Sequence, residues 1–298
     1  MKKLFLLASL ALAAFSANAQ LLWKVSGNNA AGDSYIFGTH HVAPLAMIDS
    51  IKGTMPALES ADLMMGEIDM ISSPENMMQI SMAYAMAPSD STLTKVFTPD
   101  EINEINAVLS KYSGGQLSCA LLDALKPAMV GTQLAMLQTM TSFPGYNPAE
   151  QLDQTLQQVA TANGKKVEGL ETIESQFQLL MGNPISEQAK DLLEAVRNEE
   201  KSVVKAQQLA AAYMAEDLPA IEELILNDPD SEPEAIDRLI TNRNGSWVEI
   251  LKTKLPQQSI FIAVGAGHLI GEKGLINQLR QAGYTLTPVS NEKMNNEK

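Results

Sequence analysis

The sequence predicts an α/β fold: a central, mostly parallel sheet flanked by helices and carrying a large helical cap. Three observations carry that expectation. Short apolar runs of strand length recur along the 298 residues, and longer stretches of helical spacing separate them. One run, Ile260 to Val264, is continuously apolar, as in a central strand covered on both faces. The helix-rich blocks at about 72–145 and 175–254 are longer than single crossovers need, which points to helical insertions.

In chain order, residues 1–19 read as a secretory leader. Lys2 and Lys3 supply a positive start, Leu4 to Phe15 an apolar core, and Ala17-Asn18-Ala19 a cleavage pattern before Gln20. The leader's apolar run is too short for a membrane span, and no later stretch reaches the roughly 18 apolar residues a span needs. A soluble, exported and periplasmic protein is expected, with a single domain over 20–290 and a polar, disordered tail over 291–298. Leu21 to Ser26 and Ser34 to Gly38 flank a Gly- and Asn-rich turn and read as a hairpin. Leu63 to Ile68 has strand length, as does Lys166 to Leu170 after the helix stop Asn163-Gly164. Asp100 to Lys111 follows Thr98-Pro99, a cap and a first-turn proline, so it starts a helix. Pro148 to Ala162 places Leu152, Leu156 and Val159 at helical spacing. Residues 186–254 read as almost wholly helical, with breaks near Leu218-Pro219 and Asp228-Pro229. Leu275 to Ala282 is a short helix stopped by Gly283, and Pro288 suits Thr285 to Val289 to a sheet edge.

Composition excludes several functions. The chain has 21 Lys and Arg against 35 Asp and Glu, a net charge of −14 that loss of the leader makes more negative. Such a surface repels phosphate backbones, so no nucleic-acid partner is expected. Cys119 is the sole cysteine; its apolar helical setting, with no histidine near in sequence, reads as buried packing. Met64, Met65, Met70, Met77, Met78, Met82 and Met86 crowd one region. An adaptable helix core is expected there, ahead of a pliable binding groove or a soft-metal site. Oligomeric state leaves no mark in the sequence.

The chemistry concentrates at strand ends. All three histidines fall in two matching pieces, Ile36-Phe37-Gly38-Thr39-His40-His41 and Ala263-Val264-Gly265-Ala266-Gly267-His268. Each is a strand followed by Gly-x-x-His. In open α/β sheets ligands bind just beyond the carboxyl ends of the strands, and histidine both titrates near neutrality and ligates metals. One such motif would suit a mere strand-end cap; two that hold every histidine favour one site built from both ends of the chain. His41 has the same offset from its glycine as His268, so it faces the site and His40 the other way. Glu67 ends an apolar strand, where a charge is costly unless paired, metal-bound or turned to solvent. Glu168 and Glu171 leave a strand beside Gly169; at least one faces the crevice, and the other caps the helix after Thr172. Asp69 and Asp153 read as a turn and a helix-surface residue. Arg243, in a chain poor in basic residues, suits a clamp on a carboxylate or an oxyanion, against a surface ion pair.

Trp23-Lys24-Val25, Tyr35 to His41, Gly164 to Thr172, Arg243-Asn244 and Val264 to Gly271 together resemble the TraB–GumN family, relatives of the Tiki metalloproteases, from about Leu21 to Val289. The resemblance implies a fold related to erythromycin esterase and the haem-binding ChaN-like proteins. It also implies a divalent-metal-dependent hydrolase. His41, His268 and Glu67 match the family's histidines and strand-end glutamate, and Glu168 or Glu171 its later acidic position. His40 departs from the family, which usually has a small or apolar residue there.

Together these point to a hydrolase of peptide or related amide bonds in peptide or small-molecule substrates. His41, His268 and Glu67 would hold manganese, cobalt or zinc. Glu168 or Glu171 would take the proton of the attacking water, and Arg243 would steady the oxyanion. Two rivals stand beside it: a metal-free esterase using a histidine base with a glutamate partner, and a non-catalytic protein binding haem or a peptide.

Overall fold

The computed structural model describes residues 20–289 apart from 144 and 230. The leader expected over 1–19 and the tail expected over 291–298 lie outside the described residues. Strands β1 (Leu22–Ser26), β2 (Ser34–Thr39), β3 (Leu63–Gly66), β4 (Lys166–Gly169), β5 (Ile260–Gly265) and β6 (Thr285–Pro288) form a six-stranded sheet in the order β4-β3-β5-β2-β1-β6. β4, β3, β5 and β2 are mutually parallel, and β1 runs antiparallel to both β2 and β6. This is the mostly parallel α/β sheet that the pattern predicts. β5 lies in its middle with Ile260 to Val264 all buried, which is why that run shows no polar alternation. β6 takes the edge, where Pro288 deprives no interior ladder of a donor.

Register sets the site. Thr39 lies opposite Gly265, and Gly66 opposite both Gly169 and Ala263. Four parallel strands therefore stop along one edge, and His41, Glu67, Glu171 and His268 follow those ends directly. The chain curls closely there. A Cβ on Gly66 would lie 2.4 Å from Gln157 Nε2, and one on Gly169 2.5 Å from the Glu171 carbonyl oxygen.

Two cores divide the interior. The larger wraps the sheet, with Phe37, Met64, Phe261, Trp247 and Tyr213 fully buried. The second joins helices alone: Leu93, Ile105, Leu109, Cys119, Val130 and Leu134 meet Leu192 and Val196 from the later helical stretch. Helix Pro99–Ser113 opens on a capping box between Thr98 and Glu101, as the Thr-Pro signal predicts. Helix Leu152–Ala162 starts later than its spacing suggests, because Asn147 closes a turn of its own on Ala149 and Glu150. Cys119 is buried, and burial pushes its thiol up to about 11. The methionines depart from the expected core. Met64 and Met65 are buried in β3, but Met78 and Met82 stand 64% and 56% exposed on helix Pro74–Ala85. Among the described residues no helix is long and apolar enough to cross a membrane.

Candidate functional site

At the strand-end edge a buried guanidinium ties three elements together. Arg243 Nη2 donates to Glu67 Oε2 at 2.5 Å and to Glu171 Oε1 at 2.6 Å, while its Nε reaches Glu171 Oε2 at 3.3 Å. Its Nη1 donates to His268 Nε2 at 3.0 Å and to the Leu239 carbonyl at 2.9 Å. Gln176 Nε2 bridges the same two carboxylates at 3.0 and 3.2 Å, and the Gly265 N–H donates to Glu67 Oε1 at 2.9 Å. Burial opposes the charge on Glu67. His268, Arg243, His41 and the Gly265 N–H outweigh that and hold its pKa well below the ordinary 4.5.

Arg243 arrives there by a backbone irregularity. A single π-helical turn, Asp237–Thr241, immediately precedes helix Asn242–Lys254. It rotates the start of that helix relative to an unbroken α-helix. Trp247, 1% exposed and one turn on, lies under both partners, its ring centroid 4.4 Å from that of His268 and 4.6 Å from the guanidinium carbon.

The protonation of His268 follows from its neighbour. Asn244 Nδ2 donates to the carbonyls of His268 and Lys273 at 3.1 and 3.0 Å, which fixes the amide and turns Oδ1 to His268 Nδ1 at 2.7 Å. Nδ1 therefore carries the proton, and Nε2 presents a lone pair to Arg243. Burial, then the Arg243 charge, pushes the His268 pKa down to about 4, so this imidazole is neutral.

His41 is a different histidine. Its Nδ1 pairs with Asp153 Oδ2 at 3.0 Å, and Thr39 Oγ1 donates to Asp153 Oδ1 at 2.5 Å. The Asp153 carboxylate pushes the His41 pKa up to about 9. The ring is 73% exposed in the pocket, so solvent screens the pair and its share of stability is small. Because the folded pKa is raised above the ordinary 6.5, that share is whole below pH 6.5 and fades as the pH rises through about 9. Asp153→Asn is expected to return the His41 titration toward 6.5. All three histidines lie at this edge, so imidazole NMR across pH reads it directly; an unmoved His41 titration would remove Asp153 from the pair.

The sequence-derived candidates thus divide. Glu67, Glu171, Arg243 and His268 come together, and His41 lines the same pocket as Glu67 and Arg243. Glu168 does not join them. It sits within β4 and pairs with Lys254 and, at 2.6 Å, with Lys166. Nor does either glutamate cap the following helix, which Thr172 caps itself by accepting from the Ser175 N–H. His40 turns away from the Glu67–Arg243 cluster, its ring 4.7 Å from Phe143 and 5.4 Å from Tyr213, and burial lowers its pKa to about 4. Asp69 closes a turn by accepting from the Ile71 and Ser72 N–H groups. Asp153 is the correction with most consequence: 14% exposed, it holds His41 where a helix-surface residue was expected. Gln176 and Asn244 also contribute, through the carboxylates and His268. No local signal marks a glutamine, and Asn244 stands out in the sequence only as the neighbour of Arg243.

The donor types suit a divalent ion, but their grouping does not. Glu67 Oε1 and His268 Nε2 are 3.7 Å apart, close enough to share an ion, but Arg243 is bonded to both residues and its charge opposes a second cation there. Among the described residues no three His, Cys, Asp or Glu side chains are grouped as a metal centre requires.

The model of the TraB/PrgY/gumN family matches residues 21–288. A protein of Amphimedon queenslandica named "Metalloprotease TIKI homolog" is 23% identical over 317 aligned positions. The alignment covers 90% of this chain and 61% of that relative, so the chain spans about three fifths of its length. No solved structure matches.

Proposed function

The chain belongs to the TraB/PrgY/gumN family, and on that premise we propose that it is a hydrolase of peptide or related amide bonds, acting at this strand-end cluster. One observation carries the reading. A bidentate guanidinium–carboxylate pair, Arg243 with Glu171, and a raised-pKa histidine, His41, belong to one cluster at the strand-end edge. A histidine that its carboxylate partner keeps protonated is suited to act as the acid.

Glu171 takes a proton from water as its oxygen attacks the carbonyl carbon. The Arg243 guanidinium, its N–H groups all held by protein acceptors, orients Glu171 and favours the oxyanion by its charge alone. His41, protonated at neutral pH, gives its proton to the leaving nitrogen as the C–N bond breaks, yielding a carboxylic acid and an amine. Neutral His268 acts through Arg243, accepting one of its N–H groups and so aiming the others at the carboxylates. The divalent ion that the family resemblance implies does not fit the residues as grouped, and no step is assigned to it.

The test is hydrolysis of internally quenched peptides by wild type, Glu171→Gln and His41→Ala, each before and after exhaustive chelation. Each substitution is expected to lower kcat/KM by about 10²–10⁴, with activity unchanged by chelation. The wild-type rate is expected to fall above about pH 9, as His41 loses its proton. Wild-type rates in both variants would sink the assignment. The name of the Amphimedon queenslandica relative favours a metal reading, and loss of activity on chelation with recovery on adding manganese, cobalt or zinc would establish it instead.

A further inference from the structure

Two apolar pockets meet at His41. One, about 430 Å³, runs from the Glu67–Arg243 cluster over Met70, Met77, Met136, Phe177 and Leu180. The other, about 150 Å³, lies across His41 and is lined by Leu209, Tyr213, Ile221 and Ile225, by the Gly265-Ala266-Gly267 backbone, and by Thr39 and His40. Given the hydrolase reading above, on which this step rests, we propose that they are the two side-chain subsites flanking the scissile bond. The substrate is then a peptide-like chain with a bulky apolar group on one side and a compact apolar group on the other.

Size, lining and charge each support this. The larger volume falls within the range of about 300–1,000 Å³ typical of ligand pockets. The smaller equals the roughly 150 Å³ of an apolar cavity that takes up benzene, so it suits one ring or a branched aliphatic group. Methionine is flexible and polarisable, and its wall adapts to several bulky shapes. Met136 and Leu180 are 37% and 42% exposed at the larger pocket, apolar surface that a ligand would cover. The charged groups lining that pocket are His41, Asp153, Glu67 and Arg243, and each is paired with another protein group. A charged substrate side chain would have to break one of these pairs to find a counter-charge there. An overall charge of −14 further opposes acidic substrates.

The experiment uses quenched octapeptides differing only in the central pair: Phe-Val, Asp-Val, Phe-Asp and Gly-Gly. The Phe-Val peptide is expected to show kcat/KM at least tenfold above both Asp-containing peptides. Met136→Trp and Leu209→Trp, which fill the larger and smaller pockets, are each expected to cost Phe-Val tenfold or more and Gly-Gly little. In parallel, the same peptides carrying a dansyl group are titrated by anisotropy against wild type and Glu171→Gln. If nothing is cleaved but the dansyl Phe-Val peptide binds at least tenfold tighter than Phe-Asp, and either tryptophan weakens it, the subsites stand and the hydrolase reading falls. Cleavage at equal rates for all four pairs leaves the hydrolase and overturns the subsites. Equal binding of all four, untouched by either tryptophan, overturns them too.

Discussion

Arg243→Ala is expected to lower the unfolding free energy by about 3–5 kcal/mol, the cost of breaking a buried ion pair by removing one partner. Glu67 and Glu171 are 10% and 13% exposed, and both would be left as uncompensated carboxylates. Urea unfolding measures the loss. Its pH dependence has a definite sign. The folded pKa of Glu67 is depressed, so its contribution is present above the ordinary 4.5 and is lost as the pH falls below that value. The gap between wild type and Arg243→Ala should therefore be widest near neutrality and narrow on acidification. Adding Glu67→Gln and Glu171→Gln to the alanine variant should recover much of the loss, because no buried charge then lacks a partner. Arg243→Lys should recover little, since one ammonium cannot reproduce a planar fork that spans two carboxylates and an imidazole. An unchanged urea midpoint in Arg243→Ala would show that the guanidinium is not the clamp.

Trp247→Ala is expected to cost about 3–5 kcal/mol, the usual range for removing a fully buried large aromatic side chain. The ring also carries Arg243 on its face and His268 beside it. Kinetics should therefore fall further than the loss of folded protein explains. Trp247→Phe keeps an aromatic face and most of the volume, so both effects should be smaller. Circular dichroism against temperature and kcat/KM under conditions where each variant is folded separate the two contributions. If Trp247→Ala were as stable as wild type, the ring would not support the cluster. If it were destabilised but fully active when folded, its role would be packing alone.

Much of the fold was legible because its signals are local. Apolar runs mark β3 and β5, turn signals bound the other strands, and Gly283 stops the last helix by backbone geometry alone. The two Gly-x-x-His pieces also favoured His41 over His40 by its matching offset, and His41 is the one that lines the pocket with Glu67 and Arg243. The methionine run was less legible. Composition says that such side chains pack adaptably, but the docking of helix Pro74–Ala85 decides that Met77 lines a pocket while Met78 and Met82 face out.

The glutamates mark where local reading ends. Glu168 and Glu171 lie on either side of Gly169 and look equivalent in sequence. The curl at Gly169 sends Glu171 to Arg243, while Glu168 stays within β4 and meets Lys254. Asp153 looked like one more polar residue on a helix until Thr39 and His41, 114 and 112 residues away, were brought to it.

By itself, then, the sequence determined the elements, the strand ends and the residue types gathered there, because period, turn chemistry and charge are written over a few neighbouring positions. Only the tertiary structure decided the pairing. It made His268 neutral and His41 a cation, and set Arg243 between two glutamates. A protonation state and a hydrogen-bond partner depend on what lies within a few ångströms, and here those neighbours come from strands β2, β3, β4 and β5 and from helices far along the chain.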